Sequence, residues 1–243
     1  MIYQENTAGI VIIGDEILSG RYEDQNSPFL IKELTSQGVS VRYCLTIPDD
    51  KEIIAETILE YSRRVTWFFT SGGIGPTPDD ITMESIALAF DVPLVTHTEI
   101  EERIKRMYGP KCTPGHLRMA QVPEGTLLLK TSRPTVPVLQ FRNITIFPGV
   151  PEFLRAIFKL IKDRFKGVVN PIAEINLIVD EGEITDFLEE TLKSFPELKL
   201  GSYPCYAEDD VRVKIVMEHR DQKVLANAQA FILERVGAYV RKD

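Results

Sequence analysis

An apolar stretch from Val65 to Thr70 runs directly into Ser71-Gly72-Gly73-Ile74-Gly75-Pro76-Thr77-Pro78-Asp79-Asp80-Ile81-Thr82, and an amphipathic segment marked by Met83, Ile86, Ala87 and Phe90 follows. This order predicts a strand that breaks at glycines and restarts as a helix. Glycines let the backbone come close to a ligand, and a helix start presents unpaired N–H groups and the positive end of its dipole. Together they suit a phosphate. An ordinary strand-to-helix turn with Asp79 or Asp80 as its N-cap explains one carboxylate, because one Asp or Ser is enough for a cap. Three glycines, two prolines and two aspartates within twelve residues exceed that need. Adjacent carboxylates repel phosphate, yet they hold Mg²⁺ or a similar hard cation that bridges to phosphate oxygens. The group therefore predicts a nucleotide-like ligand together with a metal.

The segments on either side place this loop in a larger pattern. Gly9 to Ile13 is a continuous apolar run, as expected of a strand buried on both faces. Asn26 to Gln37 has helical spacing and stops at Gly38, Val39 to Ile47 resumes a strand, and Ile53, Ile54, Thr57, Ile58 and Tyr61 mark the next helix. The β-α-β-α-β order predicts an α/β fold with a mainly parallel sheet and helices on both faces. Further strands are expected at Pro93 to Thr96 and Leu127 to Lys130, with helices at Glu99 to Tyr108 and around Leu117. Val138 to Arg142 and Ile144 to Phe147 predict a hairpin turning at Asn143. Pro148-Gly149-Val150-Pro151 then leads into a helix whose buried side is expected to carry Val150, Phe153, Leu154, Ile157, Phe158 and Ile161. After Gly167 to Pro171 the pattern restarts as strand, helix, two strands and helix. This divides the chain into a domain at 1–167 and a small α+β domain at 168–243.

The 243 residues carry 28 basic and 36 acidic side chains, a formal charge of -8 that disfavours general attraction to nucleic acid or an anionic membrane. No apolar run approaches the roughly 18 residues a membrane span needs, and no signal-peptide layout is present. Three cysteines without metal-ligand spacing suggest structural thiols in a reducing, cytoplasmic setting. His97, His116 and His219 stand far apart, and no Walker A, nucleophile elbow or dinucleotide Gly-x-Gly-x-x-Gly sequence occurs.

In an open α/β sheet, ligands gather beyond the carboxyl ends of the strands. Four loops fall there: Gly14-Asp15-Glu16, Pro48-Asp49-Asp50, Ser71 to Asp80, and Pro148 to Glu152. Asp15, Glu16, Asp49, Asp79 and Asp80 would crowd one edge with negative charge, which favours a divalent cation. Asp15 and Asp49 equally suit N-caps that face solvent. Pro148 to Pro151 equally suits a plain helix entry, although Gly149 would allow a second backbone contact to the ligand.

These residues resemble the molybdopterin-binding family of MogA, MoeA, CinA and the N-terminal part of eukaryotic FAD synthase. The resemblance rests on Gly14-Asp15-Glu16-Ile17-Leu18-x-Gly20, Asn26, Ser71 to Thr82, and Pro148-Gly149-x-Pro151-Glu152, in that order. Gly201-Ser202-Tyr203-Pro204 in the small domain favours the CinA and FAD synthase branch. MogA-type proteins usually carry Thr where Ser71 stands, a change that removes no metal ligand. The resemblance implies binding of a phosphorylated pterin or nucleotide, a homo-oligomer and, in this branch, metal-dependent cleavage of the pyrophosphate in ADP-ribose or FAD. Gly14, Asn26, Ser71, Thr77 and Pro148 would line the substrate site with Gly72, Gly73, Gly75 and Gly149. Asp49, Asp79 and Asp80 would hold Mg²⁺, Mn²⁺ or Co²⁺, with Asp49 and Asp80 matching the family's paired aspartates. Asp15 or Glu16 would orient an attacking water. Molybdopterin adenylylation and a non-catalytic pterin- or nucleotide-binding module remain open beside this reading. Neither the deamidase pattern of CinA nor the adenylyltransferase pattern of FAD synthase occurs in these residues, so those two activities are not expected of this chain.

Overall fold

A computed structural model describes residues 6–133, 137–205 and 211–241. The apolar run near the N-terminus forms β1 (Thr7–Ile13), and all seven residues are buried. One helical turn, α1 (Asp15–Leu18), precedes α2 (Asn26–Ser36), β2 (Ser40–Ile47), α3 (Lys51–Ser62) and β3 (Trp67–Ser71). The glycine loop then leads into α4 (Thr82–Phe90), β4 (Leu94–Thr96), α5 (Thr98–Tyr108), α6 (Pro114–Arg118) and β5 (Gln121–Pro123). Short strands β6 (Leu127–Leu128) and β7 (Leu139–Phe141) lead to β8 (Ile144–Phe147) and α7 (Pro151–Ile161).

The main sheet runs β2-β1-β3-β8-β7-β6, and β2, β1, β3 and β8 are mutually parallel. β7 and β6 extend it antiparallel. The expected strand at 93–96 forms, but as β4 it pairs with β5 in a separate two-stranded antiparallel sheet. Alternate residues of β1 point to opposite faces, which explains its unbroken apolarity. Ala8, Ile10 and Ile12 pack with Leu30 and Leu34 of α2 and Leu154, Ile157 and Phe158 of α7. Val11 and Ile13 pack with Ile54 and Ile58 of α3, Ile86 of α4, and Ile100 and Ile104 of α5. Helices thus cover both faces, and four parallel strands end at one edge.

Two details differ from the sequence reading. The β7–β8 turn places Arg142, not Asn143, at positive φ (53°). Asn143 is occupied elsewhere: its Nδ2 donates to the Ser62 and Val65 carbonyls at 2.8 and 3.1 Å. Val150 and Phe153 are 46% and 61% exposed instead of buried. Val150 precedes the helix as its N-cap, so helical periodicity does not govern it, and Phe153 lies in the first turn, at the margin of the stripe formed by Leu154, Ile157, Phe158 and Ile161.

A second compact unit begins at Val169. It contains β9 (Ile172–Leu177), α8 (Thr185–Ser194), β10 (Lys199–Pro204), β11 (Val213–Glu218) and α9 (Gln222–Val236). Its antiparallel sheet runs β10-β11-β9, with Ile175, Val213, Ile215 and Met217 packed against Leu225, Ala228 and Ile232 of α9. Gly201 to Pro204 lie in β10, where Ser202 donates a hydrogen bond to Glu181. Among the described residues, no helix is long and apolar enough to cross a membrane.

Candidate functional site

The parallel arrangement brings Gly14, Pro48, Gly72 and Pro148 to the same edge, because each follows the last residue of a parallel strand. Backbone closes on backbone there. Gly72 has φ +112°, and a Cβ on it would lie 2.1 Å from the Ile13 carbonyl oxygen. A Cβ on Gly149 would lie 3.4 Å from the Gly72 Cα, so the β3 and β8 loops abut with no side chain between them.

Hydrogen bonding sorts the glycines into two groups. Gly14 N donates to Ile47 O at 3.1 Å, and Gly72 N donates to Phe147 O at 3.2 Å, so both amides are already used in tying strand ends together. Among the described residues, the amides of Gly73, Ile74, Gly75 and Gly149 have no protein acceptor. Gly149 is exposed, and the other three are half-buried. Successive unpaired amides next to a helix start form an anion-binding concavity. The helix is α4, which has no side-chain cap and starts where Thr82 N donates to Gly73 O. Its Thr82 Oγ1 donates to Gly72 O at 2.9 Å, fixing the loop to the helix.

Three residues expected to line the substrate site make hydrogen bonds within the protein. Asn26 is 5% exposed, and its Nδ2 donates to Gly149 O at 2.7 Å and to Ser71 Oγ at 3.0 Å. Ser71, 1% exposed, passes its own proton to Pro148 O at 3.1 Å. Thr77 donates from both N and Oγ1 to one oxygen of Asp80, at 2.8 and 2.5 Å. The Asn26 and Ser71 contacts brace the loops against each other, and a buried polar group of this kind is worth most where both partners are fixed, whereas the exposed Thr77–Asp80 bonds shape the glycine loop itself.

The carboxylates divide similarly. Asp50 caps α3 by accepting from Ile53 N at 2.9 Å, which leaves Asp49 free of the capping role that its position allowed. Asp49 accepts from Asp15 N at 2.9 Å. Burial pushes its carboxyl above the ordinary range, and the charges of Glu16, Asp15 and Asp79 push the same way against that hydrogen bond. Of the adjacent pair Asp79 and Asp80, it is Asp79 whose charge reaches Asp49, while Asp80 turns back into its own loop beneath Gly75. Among the described residues, no three Asp, Glu, His or Cys side chains converge closely enough to make a metal centre by themselves. Thr77 bonds to one oxygen of Asp80 and also holds the Asp79 carboxyl below its ordinary range by hydrogen bonding, and the expected trio of Asp49, Asp79 and Asp80 does not form a closed protein cage.

Sequence reasoning missed Arg118. Its Nη2 donates to Pro76 O at 2.5 Å, so α6 grips the glycine loop from the side. Forty-two positions separate the partners, and no local pattern announces such a contact.

A family model described as a probable molybdopterin binding domain matches residues 9–166. The chain belongs to the molybdopterin-binding domain family. A second model, the FAD synthase middle domain, matches residues 172–243. A protein of Archaeoglobus fulgidus is 34% identical over 197 residues, covering 80% of this chain and 84% of that protein. A probable FAD synthase of Caenorhabditis elegans is 28% identical over 98% of this chain, which spans about half (51%) of that protein. The crystal structure of the protein CinA from Thermoplasma acidophilum is 30% identical, with a TM-score of 0.61 over 66% of this chain and 98% of that one. All the loops that build the edge site lie within the molybdopterin-binding domain.

The state of Asp49 has a thermodynamic consequence. A carboxyl whose pKa is raised by folding binds its proton more readily in the native state, so its contribution is favourable below the unfolded value and is lost as pH rises through the raised one. Asp49→Asn keeps an oxygen for Asp15 N and removes the half-buried charge. Its melting temperature is expected to exceed that of the parent protein at pH 7, with the gain fading below about pH 4. A melting series across that range, with the variant no more stable than the parent at pH 7, would refute the crowding of charge at Asp49.

Proposed function

We propose that this chain is a metal-dependent nucleotide pyrophosphatase acting on ADP-ribose, FAD or a related dinucleotide. One juxtaposition carries the reading: unpaired amides at Gly73 to Gly75 and Gly149 share a sheet edge with Asp15, Glu16, Asp49 and Asp79. Amides alone suit any phosphate, whereas the carboxylates repel it unless a cation stands between them. The donor set consists of hard carboxylate oxygens without a closed cage. It fits Mg²⁺, Mn²⁺ or Co²⁺ bound through one or two carboxylates and completed by substrate phosphate. Asp49 and Asp79 are the residues to hold such an ion, which when bound supplies charge neutralisation and an acidified water.

The chain's own groups do the rest. The loop amides grip the phosphate oxygens and stabilise charge as it builds on phosphorus. Asp15 or Glu16, both exposed beside Asp49, orients the attacking water and takes its proton. The water oxygen joins one phosphorus, the bridging P–O bond breaks, and AMP leaves with the partner phosphomonoester. The match of the second unit to the FAD synthase middle domain supports a dinucleotide substrate.

The test is incubation with FAD, with ADP-ribose, and with ATP plus molybdopterin, each with Mg²⁺, Mn²⁺ or Co²⁺. AMP is expected from FAD or ADP-ribose only when metal is present, and Asp49→Asn or Asp79→Asn is expected to lower kcat by about 100-fold or more. Pyrophosphate release from ATP with molybdopterin would replace hydrolysis by adenylyl transfer. Tight binding of all three without turnover would make the protein a binding module.

A further inference from the structure

The short helix α6 meets the glycine loop from a fixed base. Pro114 opens the helix, and Thr113 and His116 cap it reciprocally: His116 N donates to Thr113 Oγ1 at 3.3 Å, and Thr113 N donates to His116 Nδ1 at 3.1 Å. The His116 ring stacks on Tyr108 of α5 with 3.8 Å between centroids, and Leu117 packs on the main core. From this base Arg118 reaches the loop, where Pro76 O takes one donor of a guanidinium that has about five N–H groups. The side chain is thereby held at stem and tip. Among the described residues its other donors have no protein acceptor and it forms no ion pair, although Asp80 and Glu84 line the same cleft. Both carboxylates have other partners: Thr77 donates twice to Asp80, and Lys51 pairs with Glu84 at 3.5 Å. Arg118 is the single basic side chain lining the cleft that opens from Gly73 and Gly75, whose amides are unpaired.

We infer that Arg118 binds the second phosphate of the ligand's pyrophosphate group, the one adjoining the phosphate that the loop amides hold. The inference rests on the reading that a dinucleotide occupies this edge, and it adds a residue and a charge to that reading. Loop amides supply only partial charges, and a cation held by carboxylates shares its charge with them. Each phosphate of a pyrophosphate group is itself an anion, so the second one calls for a further positive group. A planar guanidinium meets two phosphate oxygens at once, where an ammonium acts as a point charge. The bond to Pro76 O meets the remaining requirement: the side chain is placed before the ligand arrives, so little rotamer freedom is lost on binding. In hydrolysis the water oxygen joins the first phosphorus, the bridging P–O bond breaks, and its electron pair leaves on the oxygen of the second phosphate. The guanidinium offsets that charge and gives up no proton.

Equilibrium binding, with Mg²⁺ present, of AMP and of α,β-methylene-ADP isolates Arg118, because the second ligand adds one phosphate across a bridge that cannot be hydrolysed. The parent protein is expected to bind the methylene analogue about tenfold or more tightly than AMP. Arg118→Met is expected to erase that preference while leaving AMP affinity within about threefold, and Arg118→Lys, which keeps the charge without the fork, to restore part of it. Comparing two ligands separates binding from bracing: if Arg118 only steadies the loop through Pro76, both ligands weaken alike in Arg118→Met, and the inference is overturned. It is overturned equally if the parent protein binds the two ligands with one affinity, or if Arg118→Met keeps the preference. Failure of both ligands to bind would remove the phosphate site and the role of Arg118 together. An Arg118-dependent preference without AMP release from FAD or ADP-ribose would uphold the second phosphate site and retire the pyrophosphatase.

Discussion

Gly72→Ala is expected to abolish ligand binding and to destabilise the molecular core by at least about 2 kcal/mol. Two costs combine. A φ of +112° is one that an L-residue rarely adopts, and the added methyl would sit 2.1 Å from the Ile13 carbonyl oxygen. The conformational cost alone is about 1–2 kcal/mol. A backbone oxygen inside β1 cannot swing away as a side chain can, so the loop itself must retreat and take the Gly73 to Gly75 amides with it. Gly20→Ala provides the comparison. Gly20 also has positive φ (+71°), but a Cβ there meets nothing within 4 Å. Chemical denaturation of both variants separates the effects: the excess loss in Gly72→Ala measures the close approach. If the two variants lose equal stability, the packing of Gly72 against β1 is not what restricts it.

The second large effect is expected at Asn26. Asn26→Leu removes two hydrogen bonds and leaves the Gly149 carbonyl without its donor, a loss of about 2–4 kcal/mol. Asn26→Asp distinguishes the cause, because it conserves the shape and removes only the donors. A protonated Asp still offers one proton to Gly149 O, whereas an ionised one repels it. Burial and the carbonyl raise the pKa of the new carboxyl, so the variant is expected to lose stability as pH rises through that value. Denaturation at pH 4 and pH 8 reads this directly. A pH-independent loss would show that Asn26 acts by packing and not by donating.

The sequence was most informative where local chemistry and topology agree. The unbroken apolar run of β1 required cover on both faces, and the strand-glycine-helix order at Val65 to Phe90 placed a glycine loop at the end of a parallel strand. β4 illustrates the limit: its apolar spacing identified a strand, but pairing with β5 depends on a chain reversal through α5 and α6 that no local pattern encodes. Within the site, residue type was a poor guide to employment. Asn26, Ser71 and Thr77 are polar residues in the right loops, yet Asn26 and Ser71 are buried and hydrogen-bonded between loops, and Thr77 is hydrogen-bonded to Asp80 within its own loop. Asp49 and Asp50 are neighbours of identical chemistry, and only the structure reveals which one caps α3. Arg118 was invisible for a related reason, since its partner is a backbone carbonyl that any residue could supply.

The contact between Gly149 and Gly72 also constrains how such a protein changes over generations. Two loops from separate strands share one surface without side chains, so neither accepts an insertion or a larger residue unless the other changes as well. Divergence is therefore directed outward, to the side chains carried by α4, α6 and the β4–β5 ribbon, which change singly. New ligand preferences are expected to arise on that perimeter, while the meeting point of the glycines passes unchanged from one descendant to the next.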